Sequence, residues 1–215
     1  MTTLSSITQQ PLRLAILLLA AGEGSRLGSY PKGLLKREGK TLIEHFSKAT
    51  QSFNPVEFVM VTGFHAEAIE AEMVRVNQGL TRKIQLIHNP HAGRGQGSSV
   101  RLGLEALHSE FDALLIALSD QPEVGVAEIA ELLDQFSVRQ EGKEIVVPTV
   151  NGQRGNPVLF SKQAIGNILA LPNMACRPYM DAHEEQVQFM ATLNTAYVLD
   201  VDTPQDIQTF QLSKN

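Results

Sequence analysis

The sequence predicts an α/β fold, a three-layer sandwich in which helices cover both faces of a mostly parallel sheet. Apolar runs that suit strands alternate with segments of helical spacing up to about residue 150, the pattern of a parallel sheet with crossover helices. The first run, at 12–19, is almost wholly apolar, as in strands that are buried on both faces. At 215 residues the chain has the length of one sizeable domain.

The strand predictions rest on short apolar runs. Five of them precede position 150, at 12–19, 56–61, 83–88, 113–118 and 145–148. Two more follow it, at 158–160 and 196–201. Because strands that alternate with helices pair in parallel, we expect most of these runs to join one buried sheet.

Helices are predicted where apolar residues recur at helical spacing. The clearest stripes are Ile129, Leu132, Leu133 and Phe136, and the shorter set Val100, Leu104 and Leu107. Further helices are expected at about 161–169 and 204–212, with a less regular stretch up to 191 between them. At the start of the last helix, Thr203 and Asp206 have the spacing of a capping box, and Pro204 takes the first helical position.

Composition limits the classes of partner. The hydrophobic share of 43% and the charged share of 19% are those of an ordinary globular protein. A formal net charge of -5 argues against a nucleic-acid partner, which requires a basic face. The single cysteine, Cys176, excludes an intrachain disulfide, and no apolar stretch reaches the ~20 residues of a membrane span. We therefore expect a cytoplasmic protein that binds neither nucleic acid nor membrane, with one domain over 12–215 after a polar lead-in at 1–11.

A glycine-rich loop follows the first predicted strand. Gly22 and Gly24 lie at the carboxyl end of that strand, where backbone N–H groups of glycines are accessible to an anion. The spacing differs from G-x-G-x-x-G, because Gly28 comes one place late, and it also lacks the glycine that precedes the lysine of an ATPase phosphate loop. Arg26 and Lys32 add two cations nearby. Exposed amides together with two positive side chains indicate a site for a nucleoside triphosphate.

The sequence resembles the molybdenum cofactor nucleotidyltransferases, within the larger group that includes sugar-phosphate nucleotidyltransferases. Their signature L-A-A-G-x-G-x-R-[ML]-G…P-K is similar to residues 19–28 followed by Pro31 and Lys32. The similarity continues in order through Asn89, 97–99 with Arg101 and Gly103, 119–122, Gly152 with 154–160, and 200–204. The Asp-Gln-Pro, Arg-Gly-Asn-Pro and Asp-Val-Asp-Thr-Pro motifs point to the cytidylyltransferase branch.

That resemblance implies a Rossmann-like sheet of the nucleotide-diphospho-sugar transferase type. It also implies transfer of CMP from CTP to the phosphate of a molybdopterin-type acceptor, with release of pyrophosphate. Ala21, where guanylyl-transferring relatives tend to carry a second glycine, favours a pyrimidine base. Such transfer requires magnesium, which takes one or two carboxylates besides phosphates and waters. Asp120 follows a predicted strand, Asp200 and Asp202 share a face of an extended segment, and the resemblance favours Asp202 as the second magnesium ligand.

The predicted site residues fall into three sets. Arg26, Lys32 and Asp120 are the catalytic candidates, and Asp120 and Asp202 are the metal candidates. The nucleotide-binding candidates lie within a part at about 12–150, namely Leu19, Ala20, Ala21, Gly22, Gly24, Ser25, Arg26, Lys32, Gly97, Ser98 and Ser99. The acceptor-binding candidates belong to a part at about 151–195, namely Arg154, Gly155, Asn156 and Arg177. Residues 173–177 depart from the Gly-Asp-x-Gly-Ala-Arg pattern of the family, which leaves the acceptor less defined than the nucleotide.

Two alternatives stay open. One is a cytidylyl- or guanylyltransferase that acts on a sugar, polyol or other phosphate. The other is a nucleotide-binding regulatory module that does not catalyse transfer. A molybdoenzyme or its chaperone is a possible protein partner in either case. The sequence has no H-E-x-x-H, G-x-S-x-G or Cys-x-x-Cys motif, so zinc hydrolysis and a serine or cysteine nucleophile have no support.

Overall fold

The computed structural model describes residues 12–214, so the predicted lead-in at 1–11 lies outside the described residues. Ten strands occur in this part of the chain: β1 Leu14–Ala20, β2 Lys36–Arg37, β3 Lys40–Thr41, β4 Glu57–Thr62, β5 Gln85–His88, β6 Ala113–Leu118, β7 Ile145–Val150, β8 Gln153–Arg154, β9 Val158–Ser161 and β10 Val187–Ala191. The α-helices are α1 Leu42–Thr50, α2 Ala66–Gln78, α3 Gln96–Glu105, α4 Val126–Ser137, α5 Lys162–Ala170, α6 Cys176–Ala182 and α7 Pro204–Thr209.

The main sheet is mixed and mostly parallel, as predicted. Its strand order is β10-β7-β9-β6-β1-β4-β5, with β8 paired to β7. The central strand β1 pairs in parallel with β4 and β6, so that Leu17 lies between Val59 and Ile116. Only β9 and the short β8 run antiparallel to their neighbours in this sheet of the described chain. The carboxyl ends of β1, β4 and β6 therefore meet at one edge.

Helices cover both faces of the sheet, which confirms the predicted three-layer arrangement. All seven residues of β1 are buried, and alternate side chains point to opposite faces. Ile16 and Leu18 contribute to the cluster that includes apolar residues of α1, α2 and α4. Leu17 and Leu19 contribute to the opposite cluster with residues of α3, α5 and α6. Burial on both faces explains why this strand is a continuous apolar run.

Most predicted elements are present with ends that shift by a few residues. The strand predicted at 113–118 coincides with β6, and the stripe that begins at Ile129 lies on α4. The predicted capping box is confirmed, since Asp206 N–H donates to Thr203 Oγ1 at 3.3 Å and Thr203 N–H donates to Asp206 Oδ2 at 2.7 Å. The last helix ends at Thr209 rather than at 212, and Leu107 lies beyond the end of α3.

The predicted strand at 196–201 was wrong. A 3₁₀ turn at Thr195–Tyr197 and irregular backbone take its place. Its polar groups pair with loops instead of a strand: Tyr197 O accepts from Asn156 N–H at 2.8 Å, and Val201 N–H donates to Asp120 O at 3.0 Å. Two elements were missed in the stretch that was expected to be irregular, namely the edge strand β10 and helix α6. No helix within residues 12–214 is both long and apolar enough to cross a membrane.

Candidate functional site

Two adjoining clefts lie at the carboxyl edge of the sheet. The first has a volume of about 390 Å³ and is lined by the glycine-rich loop after β1 and by the ends of β4 and β6. The second has a volume of about 340 Å³ and lies between α3, β9 and α6. Leu19, Gln96 and Leu118 line both clefts, so a ligand in one can meet a ligand in the other. Ligands of open α/β sheets bind at this edge.

The glycine-rich loop has a backbone shape that requires glycine at position 24. Gly24 has φ of 67°, and a Cβ added there would lie 2.1 Å from Tyr30 O. The chain then forms the 3₁₀ turn Ser25–Leu27, which is anchored by the buried side chain of Leu27. No atom of residues 12–214 lies within 4 Å of a Cβ added to Gly22, so in this part of the chain the approach to its backbone is open. The loop therefore presents main-chain groups and Arg26 to the first cleft.

Three segments that are distant in sequence bring four charged side chains together in this cleft. Lys32 Nζ lies 2.9 Å from Asp120 Oδ2 and 2.5 Å from Asp202 Oδ1. The other carboxylate oxygen of Asp202 accepts a hydrogen bond from Arg26 at 2.7 Å. Lys32 and Asp120 are 20% and 18% exposed, whereas Asp202 is 36% exposed and Arg26 70%. The residues predicted to bind phosphate and metal thus form one cluster.

This environment shifts the pKa values of three groups. Burial alone would lower the pKa of the Lys32 ammonium, but the negative charges and hydrogen bonds of Asp120 and Asp202 outweigh it and raise the pKa. The hydrogen bond from Lys32 lowers the pKa of the Asp202 carboxyl. Partial loss of solvation, together with the charges of Asp120 and Asp202, raises the pKa of Asp200. Lys32 and Asp202 are therefore both charged at neutral pH.

The carboxylates of Asp120, Asp200 and Asp202 form an acidic group that can hold a divalent metal ion. One oxygen from each lies within 4.8 Å of the others. Carboxylate oxygens at the mouth of an open cleft, with room for phosphates and waters, fit the coordination that magnesium prefers. Asp200 was noted from the sequence but not assigned as a ligand, and the structure brings it to the same place as the two predicted residues.

The far wall of the first cleft is built around Asn89. This buried side chain donates to Ser98 Oγ at 3.0 Å and to Ser99 Oγ at 2.9 Å, and it accepts from His91 N–H at 2.9 Å. Ser99, one of the predicted nucleotide-binding residues, lines the cleft. Gly97 lines the second cleft instead, and Ser98 lines neither, because its hydroxyl donates to Gly95 O at 2.8 Å.

The second cleft contains all four predicted acceptor-binding residues, Arg154, Gly155, Asn156 and Arg177. Arg154 is already ion-paired with Asp181 at 2.5 Å and with Glu184 at 3.5 Å. Arg177 is exposed and makes no ion pair within residues 12–214. A Cβ added to Gly155 would lie 2.5 Å from Tyr197 O, so only glycine allows this close approach.

Most of the remaining lining of the second cleft is apolar. It includes Val100, Ile116, Leu118, Val147, Val158, Phe160, Pro178 and Met180. Cys176 also lines it and is 7% exposed, and burial raises the pKa of its thiol to about 12. Its sulfur is therefore a neutral thiol at physiological pH, which agrees with a packing role.

Phe64 and Gln96 are among the residues that line the first cleft but were not assigned to the site from the sequence. Gln96 was part of the glycine- and serine-rich segment before α3, and its position at the helix start was the available signal. Phe64 lies two residues after the end of β4, as Asp120 lies two residues after the end of β6, and the glycine-rich loop likewise follows the end of β1. An aromatic residue at a ligand-binding edge was a usable signal.

A family model described as MobA-like NTP transferase domain matches residues 16–187. The chain is 26% identical over 197 residues to the molybdenum cofactor cytidylyltransferase of Escherichia coli (strain K12), which covers 90% of this chain and 93% of that protein. It is also 37% identical over 116 residues to nicotine blue oxidoreductase of Paenarthrobacter nicotinovorans, covering 54% of this chain and 53% of the relative. A match to the bifunctional protein GlmU of Mycolicibacterium gilvum (strain PYR-GCK) has 25% identity and covers 80% of this chain but 34% of that protein.

Solved structures share the fold. The Rv0371c protein of Mycobacterium tuberculosis H37Rv superposes with a TM-score of 0.72 at 22% identity, covering 93% of this chain and 98% of that one. A complex of the same protein with manganese has a TM-score of 0.65 at 21% identity, covering 92% and 97%. The 4-diphosphocytidyl-2C-methyl-D-erythritol synthase of Anaerococcus prevotii DSM 20548 has a TM-score of 0.69 at 13% identity, covering 93% and 95%. These likenesses confirm a fold of the nucleotide-diphospho-sugar transferase type.

Proposed function

We propose that this chain, which belongs to the MobA-like NTP transferase family, transfers CMP from CTP to a molybdopterin-type acceptor and releases pyrophosphate. The family makes it a nucleotidyltransferase. The observation that carries the finer proposal is the pairing of a charged cleft with an adjoining, mostly apolar cleft that contains two arginines. Similarity to a molybdenum cofactor cytidylyltransferase over 90% of the chain supports the same acceptor and nucleotide.

In the proposed reaction, Asp120 and Asp202 would hold magnesium, with Asp200 beside them. Magnesium, when bound, neutralises charge on the phosphate oxygens and on the departing pyrophosphate. Arg26 and Lys32 leave their carboxylate partners and bind the triphosphate, and the loop amides donate to its oxygens. These groups fix the α-phosphate in line with the second cleft and stabilise the charge that develops on pyrophosphate.

The acceptor phosphate supplies the attacking oxygen. It is ionised near neutral pH, so this oxygen attacks the α-phosphorus without a general base. The bond from the α-phosphorus to the bridging oxygen breaks, and the electron pair leaves with pyrophosphate. Within residues 12–214, Arg177 is the cation of the second cleft that makes no ion pair and can bind the acceptor phosphate directly, whereas Arg154 must first release Asp181. No proton has to be moved by a protein side chain in this step.

The lining of the second cleft favours a flat heteroaromatic acceptor over a sugar or polyol. A pterin can bury the faces of its rings against apolar side chains such as Val147, Phe160 and Met180, and its polar atoms all lie at the ring edges, where polar side chains can bind them. A sugar or polyol would need a polar partner for most of its hydroxyl groups, because each one left without a hydrogen bond weakens binding. The polar side chains that line this cleft, apart from the Cys176 thiol, are Gln96, Arg154, Asn156 and Arg177.

The test is to incubate the purified protein with magnesium, each of the four nucleoside triphosphates, and either molybdopterin cofactor or a panel of sugar and polyol phosphates, and to measure pyrophosphate release. The proposal expects release with CTP and the molybdopterin acceptor. Lys32→Ala and Asp120→Ala variants, shown to be folded by circular dichroism, should each lose ~10² to 10³ in rate. Exposed Lys40 on β3 provides the matched control Lys40→Ala. Near-normal release by both site variants would refute the assignment.

Two other outcomes would replace the proposal. Transfer to a sugar or polyol phosphate would assign the protein to that branch, and tight magnesium–CTP binding without transfer to any acceptor would indicate a regulatory module.

The relative named nicotine blue oxidoreductase makes an oxidoreductase a further candidate, although the match covers about half of that protein. The loop spacing differs from that of dinucleotide folds. Binding of NADPH, measured by its fluorescence, in place of CTP would favour that candidate. Binding of a molybdoenzyme or its chaperone is also proposed, to be measured by pull-down with such a partner.

A further inference from the structure

Phe64 is an exposed aromatic side chain in the wall of the first cleft. Eight large apolar side chains are exposed within residues 12–214, and Phe64, at 51%, is the one among them that lines either cleft. Single apolar side chains on a surface are common and need no explanation. Phe64 differs from them because its position is fixed from both sides and because it shares the cleft with the charge cluster.

The residues on either side of Phe64 are anchored to the walls of the cleft. Gly63 is buried, and a Cβ added there would lie 2.7 Å from Ala21 O and 2.7 Å from Ala92 Cβ. The ring of His65 donates from Nε2 to Glu23 O of the glycine-rich loop at 2.7 Å. The corner that carries Phe64 is therefore packed against the loop on one side and the Ala92 turn on the other.

The ring itself extends toward the turn at Ala92–Arg94. Its Cζ atom lies 3.8 Å from the position that a Cβ on Gly93 would take, so the ring lies next to this turn. The ring lines the cleft together with the small residues Ala92, Gly95 and Ser99, and none of these four residues takes part in the ion pairs among Lys32, Asp120 and Asp202. The cleft has one charged part and one part with an exposed aromatic surface.

We infer that Phe64 is the stacking surface for the nucleobase of the triphosphate, an inference that rests on the proposed function. A nucleobase has a flat π-face that stacks on aromatic side chains, while its phosphates require cations. A triphosphate held at Arg26 and Lys32 places its base in the remaining, less charged part of the same cleft. Because contacts of Gly63 and His65 fix the backbone that carries Phe64, stacking requires no rearrangement of the main chain.

The experiment compares two ligands, magnesium–CTP and magnesium–tripolyphosphate, by calorimetry. Phe64→Ala should weaken CTP binding roughly ten-fold or more, which corresponds to the loss of one stacked base, and leave tripolyphosphate binding unchanged. Phe64→Tyr should restore CTP affinity. Phe189 on β10 is similarly exposed, at 45%, and lines neither cleft, so Phe189→Ala is the matched control for nucleotide binding.

A second variant gives a direct spectroscopic signal. The chain has no tryptophan, so Phe64→Trp creates a single indole fluorophore in the cleft. CTP should quench this fluorescence and tripolyphosphate should not, whereas Phe189→Trp should respond to neither. Equal CTP affinity of wild type and Phe64→Ala, or no quenching of the Phe64→Trp variant at saturating CTP, would overturn the inference. If the wild type binds no nucleoside triphosphate at all, the proposed function itself fails, which is a different result.

Discussion

Replacing Lys32 with methionine is expected to strengthen Mn²⁺ binding in the absence of nucleotide and to weaken binding of the nucleoside triphosphate. The Lys32 ammonium lies 2.9 Å from an oxygen of Asp120 and 2.5 Å from an oxygen of Asp202, the two proposed metal ligands. A divalent ion that binds these carboxylates must displace the ammonium. Methionine has a similar length but no charge, so in the variant no ammonium group competes with the metal ion for these carboxylates.

The size of the effect follows from the exposure of the ion pairs. Lys32 and Asp120 are 20% and 18% exposed and Asp202 is 36% exposed, so solvent screens both pairs and each contributes about 1 kcal/mol. Loss of both removes about 2 kcal/mol of competition, which is roughly a 30-fold decrease in the Kd for Mn²⁺. The triphosphate loses one charged contact, which weakens its binding by about 10- to 100-fold.

Free Mn²⁺ is measured by electron paramagnetic resonance during titration of the folded variant, and magnesium–CTP binding by calorimetry. Lys40→Met, on the exposed hairpin β2–β3, changes the same residue type outside both clefts and should match wild type in each titration. Equal or weaker Mn²⁺ binding by Lys32→Met would refute the reasoning that Lys32 competes with the metal. Unchanged CTP affinity would remove Lys32 from the triphosphate site.

Three further changes have defined outcomes. Gly24→Ala should abolish CTP binding in calorimetry, because its Cβ would lie 2.1 Å from Tyr30 O and distort the loop. Arg101→Ala should lower the urea-derived free energy of unfolding by about 2 kcal/mol, because this guanidinium donates to three carbonyls at the end of α5. Burial alone would raise the pKa of buried Glu44, but hydrogen bonds from Arg75 and Lys48 outweigh it and lower the pKa. The ionised Glu44 carboxylate therefore stabilises the fold above the unfolded pKa of about 4.3, and this stabilisation is lost as pH falls through the lower pKa of the folded state. Glu44→Gln should consequently show a smaller decrease in the free energy of unfolding between pH 7 and about 3.5 than the wild type.

Each of these variants has a control within the chain. Gly142 also has a positive φ, 81°, but a Cβ there meets nothing within 4 Å, so Gly142→Ala tests backbone strain without the clash. Glu105→Ala removes only the exposed partner of Arg101 and should cost less than about 1 kcal/mol. Exposed Glu67 lies in the first turn of α2, and Glu67→Gln should preserve the pH dependence of the wild type. CTP binding by Gly24→Ala, a wild-type urea midpoint for Arg101→Ala, or an unchanged pH profile for Glu44→Gln would contradict the respective reasoning.

The central strand of the sheet and the position of the glycine-rich loop were predictable because local sequence determines them. An unbroken apolar run such as β1 requires burial on both faces, and such a strand in an α/β pattern is central. Gly24 has a positive φ that other residues rarely adopt, so the glycine in the sequence indicates the turn of the loop directly. Asp120 follows the end of β6, and Asp202 precedes the capped helix α7. Both positions can be recognised from neighbouring residues in the sequence.

Other features depend on contacts that are distant in sequence. The segment at 196–201 is as apolar as a strand. Its backbone groups, however, form hydrogen bonds with the backbone of Asp120 and Asn156 instead of with a neighbouring strand. Ser98 resembles a ligand-binding serine in sequence, yet Asn89 and Gly95 engage its hydroxyl. The ion pair between Arg154 and Asp181 requires helix α6, and the sequence of this segment has no clear periodicity of apolar residues that would predict a helix. Such pairings arise only when the whole fold is formed.

The charge cluster and Phe64 impose different requirements on the nucleotide. Arg26 and Lys32 are neutralised by Asp120 and Asp202, so phosphates alone must break two or more ion pairs to bind, and a free metal ion must do the same. A magnesium–triphosphate complex avoids this cost. The carboxylates then bind the metal ion while the cations bind the phosphates, so every charged group still has a partner of opposite charge. Base stacking on Phe64 breaks no such pair. We therefore expect the site to select the intact magnesium–nucleotide complex over either of its components.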